Sequence, residues 1–262
     1  MGAPERVGLI RSPRNSGFAA GNNIAFEAAR ALPWRSDAVF LLNPDAELRP
    51  GAIEELVRVM RARPRVGVVG GLLENEADEP RASAFRFPSA MTEFAAGVGL
   101  GVLVRRWPVA LPLSETPVQA DWITGACMFI NWDLIEAQGP LDEGYFLYFE
   151  EVDYQFQARR AGWEVWHAPG ARIMHIAGAA TGIVGAAPKR GPMPDYWFDS
   201  WRLFFEKNYG AAYASRAAAL RLAGDWMGHV IRLLRGRGDR RIPGFAASFR
   251  RRCLLNRSGR TA

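Results

Sequence analysis

Three carboxylates, Glu150, Glu151 and Asp153, stand in four positions directly behind an aromatic run of Tyr145, Phe146, Tyr148 and Phe149. A carboxylate in apolar surroundings is disfavoured as an anion. Its pKa rises toward the range where it can take a proton from a hydroxyl near neutral pH. The cluster therefore offers a general base. The same residues also suit a helix start: acids favour its positive end, Arg159 and Arg160 its negative end, and Gly162 terminates it. Capping accounts for the charges, but three acids exceed what a cap needs.

Two further segments carry usable chemistry. In NPDAE, Asn43 to Glu47, an acid follows the apolar run AVFLL. Asp45 would leave the C-terminal end of a buried strand, where open α/β sheets bind ligands, and could share a hard cation with a diphosphate. Asn-Pro-Asp is equally good turn chemistry, and local sequence does not separate the two readings. In NSGFAAGNN, Asn15 to Asn23, glycines permit a tight turn into a helix whose free N–H groups could meet a phosphate or a base edge. Its spacing matches neither dinucleotide nor P-loop fingerprints, and a plain loop with a helix cap is the stronger local reading. His167 and His175 have no sequence-local metal partner, so only the fold could make either a ligand.

These groups must be positioned by secondary structure, and the pattern supplies it. Val7–Arg11 reads as a short strand, Ala19–Leu32 as a helix and Ala38–Leu42 as a buried strand. Pro50 opens a helix with Ile53, Leu56, Val57 and Met60 on its apolar face. Pro64 closes it, and Val66–Gly70 is the next strand. This β-α-β-α-β order predicts a mostly parallel central sheet with flanking helices. Residues 72–120 read as loops with short elements. Ile123–Ile130 reads as a strand, Asp133–Gln138 as a helix, and Glu164–His167 and Ala171–His175 as short strands. A Gly-, Ala- and Pro-rich loop spans Gly178–Pro194. Beyond it, Trp197, Trp201, Phe204 and Phe205 share one helical face, and Trp226, Val230, Leu233 and Leu234 another.

Composition excludes several classes. With 49% apolar and 23% charged residues the 262-residue chain is ordinary for a globular protein, and no run reaches a membrane span. The N-terminus lacks an apolar h-region, so no secretory signal is read, and Cys127 and Cys253 are expected to be reduced thiols in the cytoplasm. The net charge of +6 belongs to the end of the chain, where ten arginines and one acid follow from Arg232 on. A basic end with Trp and Phe nearby suits an anionic membrane surface; a packed helical subdomain with a disordered basic end is the competing reading. No nucleic-acid motif accompanies the charge, so no nucleic-acid partner is expected.

Taken in order, NSGFAAGNN, FLLNPDAEL, DWITGACMFI, GPLDEGYFLYFEEVDYQFQARRAG and HAPGARIMH resemble family 2 glycosyltransferases, most closely the bacterial rhamnosyltransferase-like branch. The resemblance runs from Val7 to Gly182. It implies a GT-A fold, a nucleotide-diphosphate sugar donor such as dTDP-rhamnose, a glycan or lipid-linked acceptor and an inverting mechanism. It places Mg²⁺ or Mn²⁺ on Asp45 and His175. It also puts Asn15, Gly17, Asn22, Asn43 and Asp45 at the donor, and Thr124, Gly125 and Ala126 at the donor sugar and acceptor. The family's acidic pair falls on Glu150 and Glu151. The base is assigned to Glu151, with Asp153 as the alternative. The residues from Val7 to Asn23 match the family's second strand-helix unit, and the first has no match here, so the expectation is an N-terminally truncated GT-A domain. The expected division is a glycosyltransferase domain over 1–190, a helical, membrane-associating extension over 191–236 and a basic, disordered tail over 237–262. The site is expected on the cytoplasmic side, peripheral to the membrane. A noncatalytic relative that keeps a binding role is the competing function.

Overall fold

A computed structural model describes residues 8–176, 192–236 and 242–255. Helix α1 (Gly17–Arg30) leads to strand β1 (Ala38–Leu42), the short β2 (Ala46–Leu48), helix α2 (Ala52–Arg61) and the long β3 (Val66–Glu74). Strands β4 (Pro80–Arg81) and β5 (Ala84–Phe85) precede helices α3 (Ala90–Val98) and α4 (Gly101–Arg106). Next come β6 (Val118–Ala120), β7 (Trp122–Ile123), β8 (Cys127–Asn131), α5 (Trp132–Gln138), α6 (Glu150–Arg160) and β9 (Glu164–His175). The C-terminal part holds α7 (Asp195–Tyr209), α8 (Ala211–Leu234) and α9 (Phe245–Phe249), which runs into a π-helical turn at Arg250–Leu255.

The class is α/β, as expected, but the sheet is mixed rather than mostly parallel. Its order is β1-β8-β3-β9-β2, with β4 beside β3 and β6 beside β9. Strands β1, β3 and β9 point one way, as a β-α-β order requires. Strand β8 enters between β1 and β3 in the opposite sense, so β3 with β9 is the parallel pairing and the others are antiparallel. Side-chain alternation on the pleat then feeds two cores. Val68, Met128 and Ile130 pack with Phe26, Leu134 and Tyr154 on one face, and Val69 and Cys127 pack with Leu56 and Val59 of α2 on the other. Each fully buried side chain of this size contributes about 1.5–3 kcal/mol relative to exposure.

Several expected elements differ in extent. Residues 8–11 form no strand, and Leu9 is 75% exposed. A strand needs a hydrogen-bonded neighbour, and these residues reach none among the described residues; Val7 of the expected strand lies outside them. Strand β1 is a sheet edge bonded to β8, so AVFLL is largely half-buried rather than enclosed. The inner face of α2 is Ala52, Leu56, Val59 and Met60, while Ile53 is exposed and Val57 is half-buried. The apolar run Ile123–Ile130 is broken by a turn at Thr124–Ala126, and the two short strands expected after α6 are one strand, β9. The Gly178–Pro194 loop lies, as far as residue 191, outside the described residues.

The C-terminal helices build a third core. Trp201, Phe204 and Phe205 of α7 are fully buried with Tyr145, Val152, Ala217 and Phe249. Helices α3 and α8 cross closely; a Cβ at Gly224 would lie 2.4 Å from the Phe94 carbonyl oxygen. The expected free basic tail therefore contains packed helix at 245–255, where Phe249 and Cys253 are buried. The outer face of α8 leaves Trp226, Leu233 and Leu234 exposed.

Candidate active site

Strand β1 delivers Asn43 and Asp45 to the C-terminal end of the sheet, and antiparallel pairing of β2 with β9 sets Ala46 opposite His175. This register brings two residues 130 positions apart together: His175 Nε2 lies 3.1 Å from Asp45 Oδ1 and 3.4 Å from Asn43 Nδ2. Both side chains keep a small opening to solvent, with 13% of Asp45 and 12% of His175 exposed. A carboxylate oxygen and an imidazole nitrogen at this spacing fit a divalent cation. Among the described residues no group of three or more His, Cys, Asp or Glu gathers to cage one. A cation held by this pair would need oxygens from a ligand, which is how Mg²⁺ and Mn²⁺ sit on substrate phosphates.

The turn Thr124–Ala126 joins the strand-end motif to the acidic helix. The Asn43 N–H donates to the Ala126 carbonyl at 3.1 Å, joining the strand-end motif to this turn. On the other side, a Cβ at Gly125 would sit 3.5 Å from Glu151 Cβ and 3.4 Å from the Phe18 ring. The acidic helix is pinned there by Gln155, which is fully buried. Its Oε1 accepts from the Ile123 N–H at 2.9 Å, and its Nε2 donates to the Ile123 carbonyl at 2.8 Å and to the Glu151 carbonyl at 2.9 Å. An amide that satisfies a strand end and a helix start together fixes Glu151 against the turn. Gln155 was not among the residues singled out in the sequence, because a Gln one turn inside a helix carries no local signal.

Burial sets the electrostatics of the acidic turn. Glu150 is almost fully buried and Glu151 half-buried, and Oε2 of each lies buried without a hydrogen-bond partner among the described residues. Desolvation raises both carboxyls, and the Glu151 charge raises Glu150 further, while N–H groups at the helix start hold Glu151 lower. The two titrate as a pair, in steps at about 7 and about 9. One unprotonated carboxylate beside one protonated carboxyl is therefore available near neutral pH. Asp153 behaves differently. Its Oδ2 accepts from Lys207 Nζ at 2.6 Å and its Oδ1 from Asn208 Nδ2 at 2.7 Å. Both its oxygens are engaged, and it faces α7 rather than the turn at Gly125.

The NSGFAAGNN segment braces the same acidic loop. Asn15 Oδ1 accepts from the Gly17 N–H at 3.1 Å, and the Phe18 N–H donates to the Phe146 carbonyl at 2.8 Å. Asn22 Nδ2 donates back to the Phe18 carbonyl at 2.8 Å, within its own helix. The buried Asn23 exchanges hydrogen bonds with the Leu141 backbone at 2.9 Å in each direction. Gly17 is special: its φ is +91°, and a Cβ there would lie 2.0 Å from the Phe146 carbonyl oxygen. Gly17→Ala is expected to cost about 1–3 kcal/mol of stability by forcing the 146–149 loop away from α1. Denaturant unfolding measures this, and an unchanged midpoint would show that the loop yields freely. His167 is buried, with Nε2 3.0 Å from Ser83 Oγ, and burial lowers its pKa. It stands as a structural histidine between strands.

Comparison with known proteins gives the family and the fold type. Residues 2–189 match a family model described as glycosyltransferase-like family 2. The chain is 32% identical over 157 residues to an N-acetylglucosaminyl-diphospho-decaprenol L-rhamnosyltransferase of Mycobacterium tuberculosis, covering 57% of this chain and 50% of that protein. It is 29% identical over 161 residues to a low-salt glycan biosynthesis hexosyltransferase of Haloferax volcanii, covering 59% and 47%. It is 25% identical over 164 residues to a rhamnosyltransferase of Escherichia coli, covering 62% and 61%. The chain thus spans about half the length of the first of these relatives. Among solved structures, GalNAc-T7 with UDP, GalNAc and Mn²⁺ matches with a TM-score of 0.51 at 15% identity, over 80% of this chain and 39% of that one. That likeness is one of fold, the GT-A type.

Proposed function

Because the chain belongs to glycosyltransferase-like family 2, we propose that it moves a hexose from a nucleotide-diphosphate donor to a hydroxyl of a glycan or lipid-linked acceptor, inverting the anomeric carbon. The observation that carries this reading is the convergence on one turn. Asn43 is bonded to Ala126, and Glu151 lies against the neighbouring Gly125. The candidate base and the strand end that carries Asp45, beside His175, are thus linked through the turn Thr124–Ala126. Donor contacts at Asn15, Gly17 and Asn22 belong to the same reading. The same segment also braces the acidic loop through Phe18 and Asn23.

In this mechanism Glu151 takes the proton of the acceptor hydroxyl as that oxygen bonds to the anomeric carbon, and the bond from that carbon to the diphosphate breaks. A divalent cation on Asp45 and His175 would supply positive charge to the departing diphosphate. Glu150, the more deeply buried carboxyl, stays protonated beside the base. Asp153 holds helix α6 and does not move a proton. Two carboxylates flanking one bond, with no diphosphate site, would instead suit a glycosidase. The rhamnosyltransferase names of two relatives support a deoxyhexose donor.

A membrane-bound acceptor also fits the outer face of α8, where Trp226, Leu233 and Leu234 are exposed beside Arg232 and Arg235. Among the described residues no helix is long and apolar enough to cross a membrane. Exposed Trp and Leu beside arginines suit an anionic surface. The test is transfer of labelled sugar from dTDP-rhamnose and a panel of other nucleotide sugars, with Mn²⁺, to a polyprenyl-diphosphate-sugar acceptor in vesicles. Faster transfer and co-sedimentation with anionic rather than neutral vesicles are expected. No transfer with any donor, together with no nucleotide binding by calorimetry, would replace this reading with a noncatalytic one.

A further inference from the structure

The family match ends at residue 189, and helix α7 begins at Asp195. Yet α7 grips both the acidic helix, at Asp153 and Gln157, and the loop that leads into it, at residues 147–149. Toward its C-terminal end, Lys207 Nζ donates to Asp153 Oδ2 at 2.6 Å and to Asp142 Oδ2 at 2.7 Å. Asn208 Nδ2 donates to Asp153 Oδ1 at 2.7 Å, and Asn208 Oδ1 accepts from Gln157 Nε2 at 2.6 Å. Asn208 therefore bridges two residues one helical turn apart on α6. Upstream, Ser200 Oγ donates to the Leu147 carbonyl at 3.0 Å, and Tyr196 stacks on Tyr148 with ring centroids 6.1 Å apart. Trp197 and Phe204 pack on the Phe149 ring at 6.1 and 5.5 Å.

The segment they grip is strained. Tyr148 and Phe149 have φ of +71° and +69°, left-handed values that side chains with a Cβ rarely adopt, and they are consecutive. Such a conformation persists only where surrounding contacts over-determine it. Phe149 is the residue from which α6 starts, so its backbone fixes where Glu150 and Glu151 point. Burying a helix against apolar neighbours does not need a buried ion pair, and an apolar replacement often packs as well. A buried charge held by an ammonium and an amide, by contrast, selects one register. We infer that α7 is part of the catalytic apparatus: Lys207 and Asn208 are positioning residues that hold the acidic first turn of α6 in register through Asp153.

The inference rests on the transferase reading for its consequence, but the grip itself can be read without activity. The full chain would be prepared as Lys207→Met, Lys207→Arg and the milder Asn208→Ala, and followed by hydrogen exchange and by transfer kinetics. Lys207→Met is expected to speed exchange in residues 146–153 by about tenfold or more, with β3 and β9 unchanged. It should lower kcat by about tenfold to 10²-fold at an unchanged donor KM, the pattern of a displaced catalytic group. Lys207→Arg should recover most of both. Asn208→Ala should shift both in the same direction by less, and it decides the matter if Lys207→Met does not fold. Exchange rising equally in β3 and β9, or an unchanged kcat, would overturn the inference. If the parent chain transfers no sugar, the function proposed above fails, and the exchange pattern alone then decides whether α7 holds the turn.

Discussion

Glu151→Gln is expected to cut sugar transfer by about 10²–10⁴-fold while leaving nucleotide binding within about twofold. The substitution keeps the shape of the side chain against Gly125, and the Gln155 bonds to Ile123 and to the Glu151 carbonyl do not involve the carboxylate. What it removes is the ability to accept a proton. The pH profile gives a second, independent reading. A base works only when unprotonated, and burial has raised the Glu150–Glu151 pair so that its first proton leaves at about 7. Parent kcat should therefore fall as pH drops through that value, well above the range of an ordinary surface carboxylate. Residual activity in Glu151→Gln should lose this acid limb. Initial rates at saturating donor between pH 5 and 9, with calorimetry for the nucleotide, measure both effects. Full turnover in the variant, or an acid limb that survives in it, would move the base elsewhere.

The geometry also limits where else it could move. Asp153 is the alternative to Glu151 on sequence, since both sit in the first turn of one helix. Their difference lies in partners that sequence distance hides. Lys207 and Asn208, which occupy Asp153, are 54 and 55 residues away. Much else that was legible in the chain was local. The strand AVFLL, the helix behind Pro50, the acidic helix and its Gly162 stop all follow from short-range pattern, because periodicity and terminators act within a turn or two. The unreadable parts are long-range. Strand β8 inserts antiparallel between β1 and β3, which no β-α-β order announces, and the turn at Thr124–Ala126 is hidden inside an apolar run. The anchors Asn23 and Gln155 look like ordinary helical polar residues until their partners at Leu141 and Ile123 arrive. Residues 8–11 show the converse: an apolar run with strand pattern forms no strand where no edge among the described residues comes to it.

Asp45→Ala is expected to lower transfer by about 10²–10³-fold, the scale on which a single charge-stabilising contact to a leaving group acts. If Asp45 acts by holding a cation, its removal and removal of the cation must share one effect. Nucleotide-diphosphate affinity of the parent chain should fall when Mn²⁺ is chelated by EDTA, and the variant should bind with that lowered affinity whether or not Mn²⁺ is present. The two losses should not add, because each deletes the same interaction. His175→Ala should give a smaller loss of about tenfold, since a neutral imidazole adds a ligand but no charge. The contact of His175 Nε2 with Asp45 Oδ1 at 3.1 Å makes the alternative concrete, because the pair could instead act as a hydrogen-bonded latch between β2 and β9. A latch predicts that both substitutions lower thermal stability alike and that EDTA weakens nucleotide binding by the same factor in parent and variants. A cation pair predicts that Mn²⁺ stabilises the parent chain in the presence of nucleotide and does nothing for Asp45→Ala. Calorimetry and thermal unfolding over the four combinations of chain and metal separate these, because only shared loss through the ion makes the metal effect vanish with the carboxylate.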